Sequence, residues 1–146
     1  MLRKAAWPAA STSTRTPHRR PWRDRRRRMT TQKTGEKYII RRLAETPEER
    51  GVCGWRKTLI THDDTPVANV SHLRIDDSKK HYHREMTEYY YVIEGGGTIW
   101  LDGETRKISA GDLIVIKPGV WHTSDGEMNV LILGVPAGER TDIWFE

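Results

Sequence analysis

The sequence predicts an all-β domain, a sandwich or a barrel, on three observations. Short β-rich runs follow one another closely from residue 38 onward, with turn residues between them. Asp102-Gly103 stands between the runs Thr98–Leu101 and Thr105–Ile108, a strong short-range signal for a two-residue hairpin. His81-Tyr82-His83 puts two imidazoles at i and i+2. These share a face on an extended strand, whereas on a helix they would diverge by about 200°. No internal repeat is visible, so one barrel is expected, with room inside for one small ligand.

In chain order, Tyr38-Ile39-Ile40 and Trp55–Ile60 read as short strands. Between them, Thr46 followed by Pro47 suits an N-cap and first helical position, so one helical turn is expected over Thr46–Glu49. His62-Asp63-Asp64-Thr65-Pro66 is a turn cluster. Val67–Ile75 reads as a strand and Asp76–Lys80 as a loop. His81–His83 leads through a bend at Arg84–Thr87 into a strand from Glu88 to Ile93, which Gly95-Gly96-Gly97 is expected to break. Ser109-Ala110-Gly111-Asp112 turns the chain into Leu113–Ile116, a wholly apolar strand. Lys117-Pro118-Gly119 turns it again into Trp121-His122-Thr123, and Val130–Val135 is a further apolar strand. Asp142-Ile143-Trp144-Phe145 is expected as an edge strand or a contact with another subunit. Closing or doubling such a sheet limits its exposed edges.

Charge divides the chain in two. The 146 residues carry a net +5, but residues 1–28 hold ten Lys/Arg against one acid, Asp24, a net of +9, which leaves −4 on residues 29–146. The basicity belongs to the tail and gives no ground for a nucleic-acid partner of the folded body. Rich in Arg, Ser, Thr and Pro and without periodic apolar residues, residues 1–28 cannot offset their ordering entropy and are expected to be disordered. Pro8, Pro17 and Pro21 argue against the amphipathic helix of a transit peptide. No apolar stretch follows Arg19-Arg20, as an export signal would require, and a nucleic-acid arm at Arg25–Arg28 has only its charge in favour. The plainest expectation is a start assigned too far upstream, with Met29 as the first residue of a domain over 29–146. The single cysteine, Cys53, excludes an intrachain disulfide. No apolar run approaches the roughly 18 residues of a membrane span. Both point to a soluble, cytoplasmic protein without a membrane partner.

Four residues carry the chemistry. His81, His83, Glu88 and His122 are imidazoles and a carboxylate, side chains that borderline divalent transition metals take as ligands. From His81 the chain reads His-x-His, four residues, Glu88, six residues, then Gly95. From Gly111 it reads GDLIVIKPGVWH, with Gly119 three residues before His122. These spacings resemble the two signature motifs of the cupin superfamily, over residues 67–135. The departures are Ile75, where the first motif usually opens with Gly, Lys117, where the second usually has Pro, and Gly126, where Asn often follows the last His. The resemblance implies a small antiparallel β-barrel, a double-stranded β-helix or jelly-roll. It further implies one divalent transition metal (Fe, Mn, Ni, Co or Zn) held by His81, His83, Glu88 and His122.

Four protein ligands on an octahedral ion leave two positions for water, oxygen or a chelating substrate, which marks a catalytic site rather than a closed structural one. By strand alternation Tyr90 shares the face of Glu88, so Tyr90 is expected to line the cavity as a substrate contact, with Trp100 and Trp121 at its mouth or in the core. His18, His62 and His72 are expected to be ordinary surface or core residues. No Ser–His or Cys–His pair points to nucleophilic catalysis. The expected function is a metal-dependent enzyme, a dioxygenase or a sugar-type isomerase, acting on a small polar metabolite. The competing reading is a non-catalytic, metal-containing module that binds a sugar-like molecule. A regulator's sensory domain would need a DNA-binding helical unit, for which Met29–Gly54 is too short. Apolar chain ends that need cover predict a homodimer.

Overall fold

The structure is a computed structural model that describes residues 37–138 and 142–145; the basic segment 1–28 lies outside the described residues. Seven strands, β1 (Glu49–Arg50), β2 (Gly54–Ile60), β3 (Asn69–Ile75), β4 (Thr87–Leu101), β5 (Glu104–Ser109), β6 (Leu113–Ile116) and β7 (His122–Val135), form one antiparallel sheet. The order is β1-β2-β3-β7-β4-β5, with β6 also paired to β4.

Two long strands organise this sheet. β4 and β7 pair along their whole length, from Thr87 opposite Val135 to Leu101 opposite His122, with one register shift between Val92 and Glu94. The two ends of this ribbon have different neighbours. At one end β6 flanks β4 and β3 flanks β7, with β2 and β1 beyond. At the other end β5 flanks β4. Inward side chains from both ends nevertheless share one core. Tyr90 and Val92 join Ile99 of the same strand, Ile108 of β5, Ile116 of β6, Val130 of β7 and Leu73 of β3. A single core fed from both ends requires the ribbon to fold over itself, which gives the expected β-barrel.

The register shift and three glycines lie together in the middle of the ribbon. Gly95-Gly96-Gly97 does not end the strand, as the sequence suggested; β4 runs through it. The cause is steric. Gly95 has φ +77°, and a Cβ there would lie 2.0 Å from the Glu127 carbonyl oxygen. At Gly97 a Cβ would lie 2.0 Å from the Asp125 carbonyl oxygen. Glycine is what lets these paired backbones approach. The Asp102-Gly103 turn forms as expected. It joins Leu101 to its partner Glu104, with φ +45° and +99° at its two residues, the left-handed pair of a hairpin turn whose twist matches the strands.

Other expectations give way to tertiary context. Tyr38–Ile40 belongs to no strand and stays exposed, with 76% of Tyr38 and 71% of Ile40 accessible. The helical turn falls at Leu43–Glu45, a single 3-10 turn, and Thr46 closes it instead of opening one. Thr46 Oγ1 donates to the Arg42 carbonyl at 2.9 Å. Pro47 disfavours helical geometry at the residue before it, and Thr46 accordingly has ψ 127°. Trp121 precedes β7, whereas His122–Thr123 and Val130–Val135 are parts of that one strand. β6 buries only one face. Leu113 and Val115 are 61% and 47% exposed and lie opposite the outward-facing Tyr91 and Tyr89. Near the chain end, Trp144 and Tyr82 exchange two backbone hydrogen bonds of 3.0 Å, an isolated bridge. No helix among the described residues is long and apolar enough to cross a membrane.

Candidate metal centre

Extended chain and sheet pairing bring the motif residues together. His81 and His83 lie in the segment between β3 and β4, Glu88 is the second residue of β4, and His122 opens β7. His81 and His122 are backbone partners: each N–H donates to the other's carbonyl, at 3.1 and 2.9 Å. The Gly119 N–H donates to the His83 carbonyl at 2.7 Å, so the turn before β7 also fixes the second histidine. All four side chains are buried.

The three rings share one hydrogen-bonding pattern. His81 Nδ1 donates to the Lys79 carbonyl at 2.8 Å, His122 Nδ1 to the Val120 carbonyl at 3.0 Å, and His83 Nδ1 to the Asp142 carbonyl. A carbonyl only accepts, so each Nδ1 carries a hydrogen and each neutral ring turns a bare Nε2 lone pair the other way. One ligand atom from each ring lies within 4.8 Å of the other two, which makes a buried histidine triad that could hold a metal ion. His83 Nε2 and His122 Nε2 are buried without a hydrogen-bond partner. Buried polar atoms are nearly always satisfied, so two orphaned lone pairs side by side call for a cation. Such outer carbonyl contacts orient metal-ligating histidines elsewhere.

Glu88 reaches this triad from the His122 side, with Oε2 3.3 Å from His122 Nε2. The contact is close enough for an ion pair but is not aligned as a hydrogen bond. Burial pushes the Glu88 carboxyl up, yet His122, His83 and His81 outweigh it and hold Glu88 below its ordinary 4.5. Burial pulls His122 down, and Glu88 outweighs that and raises it above 6.5. Burial and then His122 bring His81 down to about 4. Without a cation, an extra proton taken up by the site as the pH falls goes to His122, facing an ionised Glu88. Metal uptake below pH 6.5 is expected to release that proton, and metal affinity to fall as the pH drops and His122 fills. Calorimetry in buffers of different ionisation enthalpy reads the proton directly; uptake with no proton released would contradict this charge arrangement.

The site opens on a cavity of about 340 Å³, in the size range of small-molecule sites. His81, His83 and Glu88 line one part of it. Arg56 and Thr58 of β2 and Ser71 of β3 line another, with His62 and Asp63 from the loop between those strands. Arg56 is held by Glu49, at 3.0 Å. Cys53 also lines the cavity, with Sγ 3.9 Å from His81 Nε2. Burial first, then the nearby Glu88, pushes its thiol up to about 12, so in the metal-free site it stays protonated.

Three side chains expected to contact substrate do not line this cavity. Tyr90 does point inward with Glu88, but it sits in the core, 2% exposed, with its hydroxyl 2.9 Å from Ser124 Oγ. Tyr90→Phe is accordingly expected to cost about 1–3 kcal/mol of stability, by stranding the buried Ser124 hydroxyl, and to leave metal binding unchanged. Urea unfolding and a metal titration check both; lost metal binding at unchanged stability would contradict the placement. Trp100 and Trp121 face the other way. Leu101 pairs with His122 and Ile99 with Ser124, so Trp100, Thr123 and Trp121 fall on the opposite face by strand alternation. Both indoles pack against Lys80, whose Nζ lies 4.5 Å from the Trp100 ring and 5.5 Å from that of Trp121. His72 points away as well, on the outer face of β3 beside Leu131. Arg56 and His62 gave no signal in the sequence. Only the pairing of Arg56 with Leu73 and of Thr58 with Ser71 shows which face of β2 is inward.

A folded-over antiparallel sheet with three clustered, buried imidazoles, two of them lining a cavity, defines a small β-barrel protein with a pocket that could hold a metal. The chain belongs to the cupin family: the family model described as "Cupin domain" matches residues 75–133. An uncharacterised protein of Methanocaldococcus jannaschii is 33% identical over 97 residues, which is 66% of this chain and 69% of that protein. The quercetin 2,3-dioxygenase of Bacillus subtilis is 35% identical over 43 residues; the match takes in 30% of this chain and only 13% of that enzyme. Among solved structures, a protein from Planctomyces limnophilus superposes with a TM-score of 0.70 at 29% identity, over 74% of this chain and 96% of that one.

Proposed function

We propose that this protein is a metal-dependent enzyme, a dioxygenase or a sugar-type isomerase, that acts on a small polar metabolite. His81, His83, Glu88 and His122 hold one divalent transition metal (Fe, Mn, Ni, Co or Zn) in this reading. The observation that carries it is the pair of orphaned Nε2 atoms, on His83 and His122, in a site that borders the cavity. A closed structural site would need no such chamber. The bound cation supplies Lewis-acid polarisation of a substrate oxygen or a meeting point for substrate and oxygen. The chain supplies the rest. Thr58, Ser71 and Arg56 offer polar contacts on the cavity wall, and His62 and Asp63 can accept or donate a proton there. The local likeness to quercetin 2,3-dioxygenase supports the oxygenase branch. The hydroxyl-bearing wall suits a hydroxylated ligand and supports the isomerase branch.

The test begins with metal analysis of the purified chain. Oxygen uptake by the anaerobically iron-loaded protein is then followed with thiols, diols and catechols, and proton exchange at sugar carbons is followed by NMR. Turnover in either assay supports the proposal and selects the branch. Stoichiometric metal with neither activity across these panels would contradict the enzyme reading and favour the non-catalytic binding module.

A further inference from the structure

We propose that Asp142 is a positioning residue for the metal centre, clamping His83 and the turn after it through its carbonyl and its carboxylate together. The inference rests on the reading of His83 as a metal ligand. Two parts of one residue hold four consecutive residues. The Asp142 carbonyl accepts the His83 Nδ1 hydrogen, which fixes the tautomer and aims Nε2 at the triad. The Asp142 carboxylate accepts the backbone N–H of Arg84 at 2.9 Å and those of Glu85 and Met86 at 3.1 Å each. A carboxylate with three amide donors is a strong, charge-assisted anchor. It sets where the main chain of residue 142 lies, and so where its carbonyl meets the imidazole.

Neighbouring contacts extend this clamp. Trp144 and Tyr82 exchange two backbone hydrogen bonds, and the Arg84 guanidinium stacks on the Trp144 ring, 3.4 Å from its centre. Residues 82–86 are thereby held by residues 142–144. Asp142 and Ile143 also line the cavity, so the segment that orients His83 forms part of the wall a substrate would meet.

The experiment compares Asp142→Ala and Asp142→Asn with the unaltered full chain, with Co(II) alone as the probe. Affinity and the visible absorption of bound Co(II) are read, together with thermal melting of the metal-free proteins. Asp142→Ala keeps the carbonyl but frees the main chain that carries it, and is expected to weaken Co(II) binding by about 10–100-fold, the range seen when an outer partner of a metal ligand is disturbed, and to change the visible spectrum. Asp142→Asn keeps one accepting oxygen on an equal-sized side chain and should recover part of both. A purely structural role would lower melting without altering the spectrum of the bound ion. Unchanged affinity and spectrum in a folded Asp142→Asn and Asp142→Ala would overturn the inference and leave the metal site standing. If the unaltered chain takes up no Co(II), the metal reading falls and this inference with it.

Discussion

His83→Ala is expected to abolish stoichiometric metal binding. One of three converging imidazoles disappears, and the remaining pair with Glu88 offers the ion one donor fewer and holds it far more weakly. The loss should exceed the roughly 10–100-fold that outer partners of metal ligands contribute. The metal-free protein should be affected far less. The ring's buried Nε2 has no partner, and removing a stranded polar atom returns about 1–3 kcal/mol. That partly offsets the packing lost when a buried ring is cut back to a methyl group, on the order of 3 kcal/mol. Elemental analysis after dialysis, alongside metal-free melting curves, separates the two effects. Stoichiometric metal retained by the variant would falsify the assignment of His83.

Gly95→Val is expected to destabilise the barrel severely. Its Cβ would lie 2.0 Å from the Glu127 carbonyl oxygen, on a backbone with φ +77°. The obstruction is main chain on a paired strand, so no side chain can swing away. Left-handed geometry alone costs a β-branched residue about 1–3 kcal/mol, and parting β4 from β7 adds more. A total of at least ~4 kcal/mol is a large share of the roughly 5–15 kcal/mol that holds a domain together. For a domain of this size, that corresponds to a fall of roughly 15–30 °C in melting temperature. Because Glu88 and Gly95 lie on the same strand, metal affinity should fall too. Circular dichroism melting measures the first effect; a shift below about 5 °C would show that the strands do not approach as described.

The clustered histidines were legible in the sequence because they obey local rules. The i, i+2 spacing of His81 and His83 reads as extended chain, and the fixed intervals to Glu88 and His122 make a pattern that single residues cannot. The hairpin at Asp102-Gly103 was legible for the same reason, since its turn chemistry is contained in two residues. What the sequence hid depends on pairing between distant strands. Gly95-Gly96-Gly97 reads locally as a break, but its role is set by the carbonyls of Glu127 and Asp125 across the ribbon. Trp100 and Trp121 looked like cavity residues until the register with His122 and Thr123 fixed their face. Arg56, His62 and Asp142 carry no motif. They reach the cavity only because β2, the loop after it and the chain end pack around it. Tyr38–Ile40 shows the converse, since an apolar trio forms a strand only where a partner offers its backbone.

X-ray diffraction from crystals of the protein loaded with Zn(II) or Co(II), recorded on both sides of the metal's absorption edge, tests the central claim most directly. The account predicts one anomalous peak at the meeting point of His81, His83 and His122 Nε2, roughly 2.0–2.2 Å from each, with a Glu88 oxygen at similar distance. A peak elsewhere, or water and apolar side chains between rings that point apart, would contradict it.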